Sequence, residues 1–410
     1  MAKVFSRQER FYLQDESAFG TIPNSGGTAT VAAADACAMI QFKMNRTTDS
    51  IFRKDKTGSR TATAGIAGRK IANWSSNMSL VTSGVAGTIP DCDPILKSLF
   101  GAAAASKTGT LTVSAATNAS PIQLTTGTHG LSEYDAVTVT GVTGNTAANG
   151  IWLVHVVDTT NFTLLGSAGN AAWISGGSVS KVALCYTPTD TELSFTGWSF
   201  RTPAGAQQRA IMGAVAQQGT FNLGEDIATW QATGLGKWVL DSNGFSTATL
   251  TEKAGLSAFP TEPSTPVTAG AGIAGFKGMA FLNGGLITRI RTAQIKYGSG
   301  LELPRDLFGS EYVDSPEADE RQVFLNFNMY EDDSAAQLAL ENAAISKTGL
   351  DMLFQVGLTA GSIYFLVLRG VQLVSPDRDD GQRAFTMAYG DSRAYGSGIT
   401  SFNELKLWAI

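Results

Sequence analysis

Histidine is almost absent from this chain of 410 residues: there are two, His129 and His155. Both lie in one stretch, 108–182, so the rest of the chain has no means of running Ser–His–Asp or Cys–His catalysis. Two histidines with no cysteine nearby also make a poor metal site. Charge is scarce as well, at 16% Asp, Glu, Lys and Arg, and its net value is −5. A nucleic-acid grip needs a basic surface that displaces counterions, so this balance argues against one. The three cysteines, Cys37, Cys92 and Cys185, are odd in number and far apart. They form neither a disulfide framework nor a zinc pattern and are expected to be buried, reduced thiols. Long apolar runs are missing too. The strongest, Ile363–Leu368, is far short of the ~20 residues of a membrane helix. The polar opening MAKVFSRQER has no apolar region of signal-peptide type.

The motifs that remain are weak. Gly270, Gly272 and Gly275 match G-x-G-x-x-G, but they follow a Pro/Thr stretch in place of a strand and precede no helix, so they read as a hinge. Asp377, Asp379 and Asp380 lack the bidentate Glu of a calcium loop and read as a solvated turn. Glu317, Asp319 and Glu320 read as a charged face. No cofactor, no metal and no enzyme activity is expected.

What is abundant is glycine, 45 residues, with many Thr, Ser and Ala. This composition predicts a mainly β fold with a few short α-helices. Between Thr108 and Ser180 there is no Lys or Arg, and short alternating runs (TLTVS, AVTVTGV, IWLVHVV, FTLLGS, SVSKV) are separated by Gly and Asn turns. Period-2 alternation at this spacing predicts a small all-β module. Before it, DPILKSLFGAAAAS (93–106) predicts a helix over 93–105, with Pro94 at its start. After it, a strand resumes. The module over 108–182 therefore reads as an insertion that could be removed, the helix and strand rejoining. A stretch rich in Pro, Thr and Gly, 246–275, reads as a linker.

The parts on either side of that linker resemble each other. Ala228, Ala232 and Gly234 align without a gap to Ala384, Ala388 and Gly390. QFKMN (41–45) aligns to QIKYG (294–298), and KIANWSSNM (70–78) to RQVFLNFNM (321–329). Each part has a strand, a long polar loop (46–69 and 299–320), a second strand, a helix (the second near 335–347) and further strands around an acidic turn. Shared order predicts duplication. The domains are then 1–107 with 183–245, the inserted 108–182, and 276–410. The two loops differ in charge. The first is basic, with Arg46, Asp49, Phe52, Arg53, Lys54, Asp55, Lys56 and Arg60. The second is acidic with apolar anchors, Leu301, Leu303, Arg305, Asp306, Leu307, Phe308 and Tyr312. Long loops of this kind tend to bind, so these residues are candidates for contacts between subunits or rings.

RFYLQDESAFGTIPN (10–24), QFKMNRTTDSIFRKDKTGSR (41–60) and GVQLVSPDRDDGQRAFTMAYG (370–390) resemble tail tube (major tail) proteins of long-tailed bacteriophages. THGLSEYDAVTVTGVTGNTAANG and NFTLLGSAGNAAWISGGSV resemble a small β-barrel module inserted in phage structural proteins. The resemblance implies two tandem β-sandwich or barrel domains, three chains to a ring of pseudo-sixfold symmetry, and rings stacked into a tube. It implies the chain itself, a tape-measure protein, a tail terminator and a distal tail protein as partners. Double-stranded DNA would pass through without specific binding, and no membrane is involved. The location implied is the virion tail, with the host cytoplasm during assembly. Glu225, Asp226, Asp377, Asp379 and Asp380 are candidates for acidic residues at the lumen or its turns, and the insertion is expected to project from the outer wall. A baseplate hub or tail terminator, or an adhesin working through the insertion, are the alternatives.

Overall fold

The computed structural model describes residues 6–23, 29–52, 54, 56, 58, 60–61, 64–201, 208–224, 226–245, 255–264, 272–305, 307–359, 361–381, 384–398 and 401–410. The fold is mainly β. In chain order the first half has β1 (Glu9–Asp15), a hairpin of β2 (Gln41–Ile51) and β3 (Ile66–Ser79), the helix α1 (Asp93–Phe100) and a short β4 (Ala105–Lys107). Six strands follow: β5 (Thr110–Ala116), β6 (Ile122–Thr126), β7 (Ala136–Thr140), β8 (Gly150–Val156), β9 (Asn161–Leu164) and β10 (Ser178–Ser180). The chain returns through β11 (Ala183–Tyr186), β12 (Phe195–Arg201), β13 (Arg209–Leu223), β14 (Thr229–Gly236) and β15 (Trp238–Asp241). The second half has β16 (Met279–Leu282), β17 (Ile290–Gly298), β18 (Gln322–Tyr330), α2 (Ala335–Ser346), β19 (Leu350–Val356), β20 (Tyr364–Gln372), β21 (Asp377–Asp379), β22 (Thr386–Ala394) and β23 (Leu405–Ala409).

Both halves pair in the same order. In the first, β2–β3–β14–β13 form one antiparallel layer, and β1–β12–β13–β15 form a second that shares the long strand β13. In the second half, β17–β18–β22–β21 and β16–β19–β20–β23 repeat this. Pro376 lies between β20 and β21, where β13 runs unbroken, because proline has no N–H to offer a ladder. Even the bulges coincide. The β12–β13 register slips beside Gly213 (φ +62°), and the β19–β20 register slips beside Gly370 (φ +60°). An added residue in a ladder needs this left-handed backbone, which glycine adopts without steric cost.

The ladders correct the gapless alignment. Trp230 stands opposite Met78, and Met387 stands opposite Met329. Trp230 therefore matches Met387, one residue away from the alignment of Ala232 with Ala388. Ala232 is buried and Ala388 exposed, and a one-residue slip in a strand moves every side chain to the other face.

The two inner layers join. Residues Gln218–Leu223 of β13 pair antiparallel with Ala293–Gly298 of β17, making one sheet of eight strands, β2–β3–β14–β13–β17–β18–β22–β21. The helices lie against its apolar side. Ile95, Leu96, Leu99 and Phe100 of α1 and Leu340, Ala343 and Ala344 of α2 share one core with Trp74, Phe221, Ile295, Leu325 and Tyr389. Helix α1 starts with Asp93, held by Lys97 Nζ at 2.6 Å and by the Tyr186 hydroxyl, which donates at 2.6 Å. It ends earlier than 105 because Gly101 turns left-handed (φ 75°), and Ala105–Lys107 pairs with β11 instead. Helix α2 is capped by Ser334 Oγ, which accepts from Gln337 N at 3.2 Å.

Residues 110–180 form a closed barrel in the order β9–β6–β5–β10–β7–β8. The sequence reading had no strand at 122–126. The ends of the barrel adjoin, since Lys107 pairs with Ala183. However, β11 also pairs with β23, so the strands flanking the barrel belong to the second half's outer sheet and not to the first half. The barrel is not a free appendage either. Its Tyr134, Ala136, Leu153 and Leu165 pack on Phe281, Leu353, Phe365, Val367 and Trp408. Arg369 lies 5.3 Å over the Tyr134 ring, and Lys107 reaches Asp135 at 3.2 Å. The matching face of the first half, with Tyr12, Trp198, Phe200 and Trp238, is covered by Ile22, Val31, Leu256 and Phe259. Part of the expected linker is thus a strap, tied by Arg10 to Glu262 at 2.5 Å. The rest of it, 246–254 and 265–271, lies outside the described residues.

The expectation that 108–182 could be removed without consequence therefore fails on packing: deletion would bare the apolar side chains under the barrel. A chain lacking 108–182 is expected to lose solubility and to bind hydrophobic dyes. Leu165→Ala should cost about 2–4 kcal/mol in urea unfolding. A soluble deleted chain with unchanged stability would show that the barrel covers nothing of importance.

Candidate assembly surfaces

The side of the eight-stranded sheet turned away from the core is largely polar over its middle strands. Strand β3 presents Asn73, Ser75 and Asn77 there, β14 presents Gln231 and Thr233, and β13 presents Gln218, Thr220 and Asn222. Strand β17 presents Thr292, Gln294 and Lys296, and β18 presents Asn326 and Asn328. Period-2 alternation positions them, because their neighbours Trp74, Trp230, Phe221, Ile295 and Phe327 point into the core. The amides bond across strands: Gln294 Nε2 donates to Asn222 Oδ1 at 2.8 Å, and Asn326 Nδ2 to Gln294 Oε1 at 3.5 Å. Lys296 is the one charge among these residues, and Arg393 of β22, opposite Phe324 of β18 and paired with Glu320, adds another on the same side.

The acidic candidates lie at the margin of this face. Asp377 and Asp379 are exposed on the last strand, β21, and Asp380 follows in the turn. Asp226 is exposed in the matching turn between β13 and β14, and Glu225 lies outside the described residues. At the opposite margin, β2 exposes Lys43 and Asn45. Among the described residues no strand pairs with the outer edges of β2 and β21, and neither Lys43 nor Asp377 nor Asp379 makes an ion pair.

The two arms differ. The expected loop 46–69 is in part strand: β2 and β3 continue as a ladder out to Ile51 opposite Ile66. Arg46 is held back over the Trp238 ring at 5.6 Å. Asp49, Lys54, Lys56 and Arg60 are exposed, whereas Arg53 and Asp55 lie outside the described residues. Ile51 (58% exposed), Phe52 (69%) and Ile66 (54%) stand in solvent. In the second arm the apolar anchors fold back onto the first half of the same chain. Leu301 and Leu303 are buried with Val313, Ile71 and Val215. Tyr312 meets Trp238 edge-on at 6.0 Å, and Lys70 reaches Glu311 at 2.8 Å. Leu301, Leu303 and Tyr312 are therefore occupied within the chain and are withdrawn as contacts between subunits. Leu307 (47% exposed) and Phe308, fully exposed at the tip, are not. Arg305 is exposed, and Asp306 lies outside the described residues.

The titratable groups elsewhere serve the fold. Leu131 N donates to His129 Nδ1 at 2.9 Å, which leaves Nε2 to donate to Asp158 O at 2.6 Å. His155 Nδ1 lies 2.7 Å from Glu133 Oε1. The three cysteines are buried and free, and burial pushes the Cys185 thiol up to about 12. Glu16 accepts from Gly20 N, Gly213 N, Ser194 Oγ and Thr196 Oγ1 at 2.7–2.8 Å, pinning the end of β1 to β12 and β13.

Exposed and buried anchors should respond differently to charge. Phe52→Asp is expected to change unfolding stability by less than about 0.5 kcal/mol while lowering self-association. Leu303→Asp is expected to cost about 2 kcal/mol or more in the isolated chain. Equal destabilisation by the two would contradict the placement of the arms. Neither a protein-family model nor a curated protein sequence matches the chain.

Proposed function

We propose that this chain is a structural subunit of a phage tail tube. It polymerises as rings of three chains, each filling two ring positions, and the rings stack into the conduit through which the genome is ejected. The observation that carries this reading is the eight-stranded sheet. Its middle seam, β13–β17, joins two similarly paired halves, and among the described residues no strand pairs with its two outer edges. An open edge is an aggregation hazard unless another chain pairs with it. A sheet made of two equivalent units, open at both ends, supports closure by further copies of itself. The exposed Ile51, Phe52 and Ile66 support the same reading. The second arm packs on the first half within the chain, whereas Ile51, Phe52 and Ile66 of the first arm remain exposed and would suit a surface supplied by another chain.

The sheet's outward face suits passage of a polyanion. Amides and hydroxyls hydrate well and leave phosphates few cationic anchors, so duplex DNA would gain little counterion-release energy by stopping there. This differs from an acidic wall: the acidic candidates sit at the margin of the face. A tape-measure protein filling the tube before ejection, and terminator and distal tail proteins at its ends, follow from the resemblance of the sequence. The role is one of assembly and transit, with no catalysis. The site of action would be the virion tail, after assembly in the host cytoplasm.

Electron microscopy of the purified chain and of assembled particles tests this. End-on averages are expected to show threefold rings with six inner units and three outer barrels. Sixfold rings with six barrels would refute two ring positions per chain, and single rings that never stack would favour a terminator or hub. A chain that stays monomeric, and is absent from tube particles, would overturn the reading. Gln231→Lys with Asn222→Lys is expected to leave tubes intact and slow genome release, less so at high salt. Unchanged release at low salt would place that face away from DNA.

A further inference from the structure

The seam inside the chain is a template for the seam between chains. In it, Asn222 of β13 stands opposite Gln294 of β17. Both residues have equivalents in the other half. Asn222 pairs with Thr229 across the turn 223–228, and Asp379 pairs with Thr386 across the equally long turn 380–385. Asn222 and Asp379 are therefore equivalent. Gln294 pairs with Asn326, and Lys43 pairs with Ser75. Asn326 and Ser75 each stand three residues before the methionine, Met329 or Met78, that faces Met387 or Trp230. Gln294 and Lys43 are therefore equivalent too, which moves the match of QFKMN with QIKYG by two residues. By the same register Thr220 opposite Lys296 corresponds to Asp377 opposite Asn45.

We propose that β21 of one chain pairs antiparallel with the open edge of β2 of a second copy, with Asp379 opposite Lys43 and Asp377 opposite Asn45. This rests on the tube reading above and adds to it the strands and register of the contact. Chemistry favours it at each position. Where the inner seam has an amide hydrogen bond, Gln294 to Asn222, the outer seam has an ammonium opposite a carboxylate. Lys43, Asn45, Asp377 and Asp379 are all exposed, and the three charged ones lack ion-pair partners among the described residues. The same charges exclude the wrong pairings. Two β21 edges would set aspartates against aspartates, and like charges across strands repel. The contact is thus head-to-tail, the type that generates rings. A charge-paired outer seam beside an amide-paired inner seam would make the contact between chains more sensitive to salt than the seam within the chain.

Cysteine pairs read the register directly. The chain carrying both Lys43→Cys and Asp379→Cys is expected to give covalent dimers and trimers under copper–phenanthroline oxidation, while each single variant stays monomeric on a denaturing gel. The native thiols are buried and add no background. Lys43→Cys with Asp377→Cys, two residues out of register, is expected to link poorly. Stronger linking by that shifted pair, or rings seen by electron microscopy with no linking by either pair, would overturn the register and leave the tube reading standing. Monomers of the unmodified chain under all conditions, with none in tube particles, would overturn the tube reading itself. As an independent check, Lys43→Asp and Asp379→Lys should each abolish rings without moving the urea midpoint. Together in one chain they should restore them, and failure to restore would count against the pairing.

Discussion

The β13–β17 seam is the contact on which the rest of the molecule depends. Without it the halves would be two small sandwiches, each with an exposed sheet edge and a short helix covering little of its core. With it, Gln218–Leu223 and Ala293–Gly298 complete each other's ladders, and α1 and α2 lie over one continuous apolar surface. Backbone pairing of this kind fixes register as well as adjacency, because the polar side carries Asn222 and Gln294 and the apolar side Phe221 and Ile295. A slip by one residue would bury amides and expose aromatics. The seam therefore makes the halves one folding unit, although the sequence between them reads as a linker.

Duplication leaves each half with the same second problem: the outer sheet has an apolar back. Tyr12, Trp198, Phe200 and Trp238 need a cover in one half, and Phe281, Leu353, Phe365 and Trp408 need one in the other. The first half is covered by its own N-terminal segment and the strap around Leu256 and Phe259. The second is covered by the inserted barrel. The insertion and the strap are therefore equivalent in what they do to the fold, though unrelated in sequence. An inserted module that covers a required face can be kept for stability alone, whatever its outer surface touches.

Much of this was legible in the sequence where one face of a strand is wet. Alternation in β3, β17 and β18 gave both the strands and the face they bury, and Pro94 marks the start of α1, but the helix expected through 105 stops at Gly101. The outer strands are buried on both sides: AIMGAVA in β13 and YFLVL in β20 have no period, so the layer they belong to cannot be read from pattern. The small-residue identities that suggested the repeat favoured a register one residue off, since alanine and glycine occur on either face. The second arm misled for a different reason. Leu301, Leu303 and Tyr312 look like anchors for a partner, and they are anchors, but the partner is the first half of the same chain. Lys43 escaped notice because its importance lies in where an edge is open, which only the pairing order reveals.

That pairing order also bears on the proposed assembly, which needs edges that do not pair indiscriminately. Long open edges invite any strand, and proteins blunt them with charge and proline. Here the blunting devices, Lys43 on one edge and Pro376 with Asp377 and Asp379 on the other, are opposite in sign. Each edge disfavours its own kind and suits the other, so protection and specificity come from the same side chains. The middle of the sheet needs no such device, because its edges met during folding of a single chain at an effective concentration no second copy can match. It can therefore carry neutral amides. If the outer face is the wall of a conduit, Lys43, Asp377 and Asp379 fall along the seams between chains, where lysine and aspartate would meet on closure.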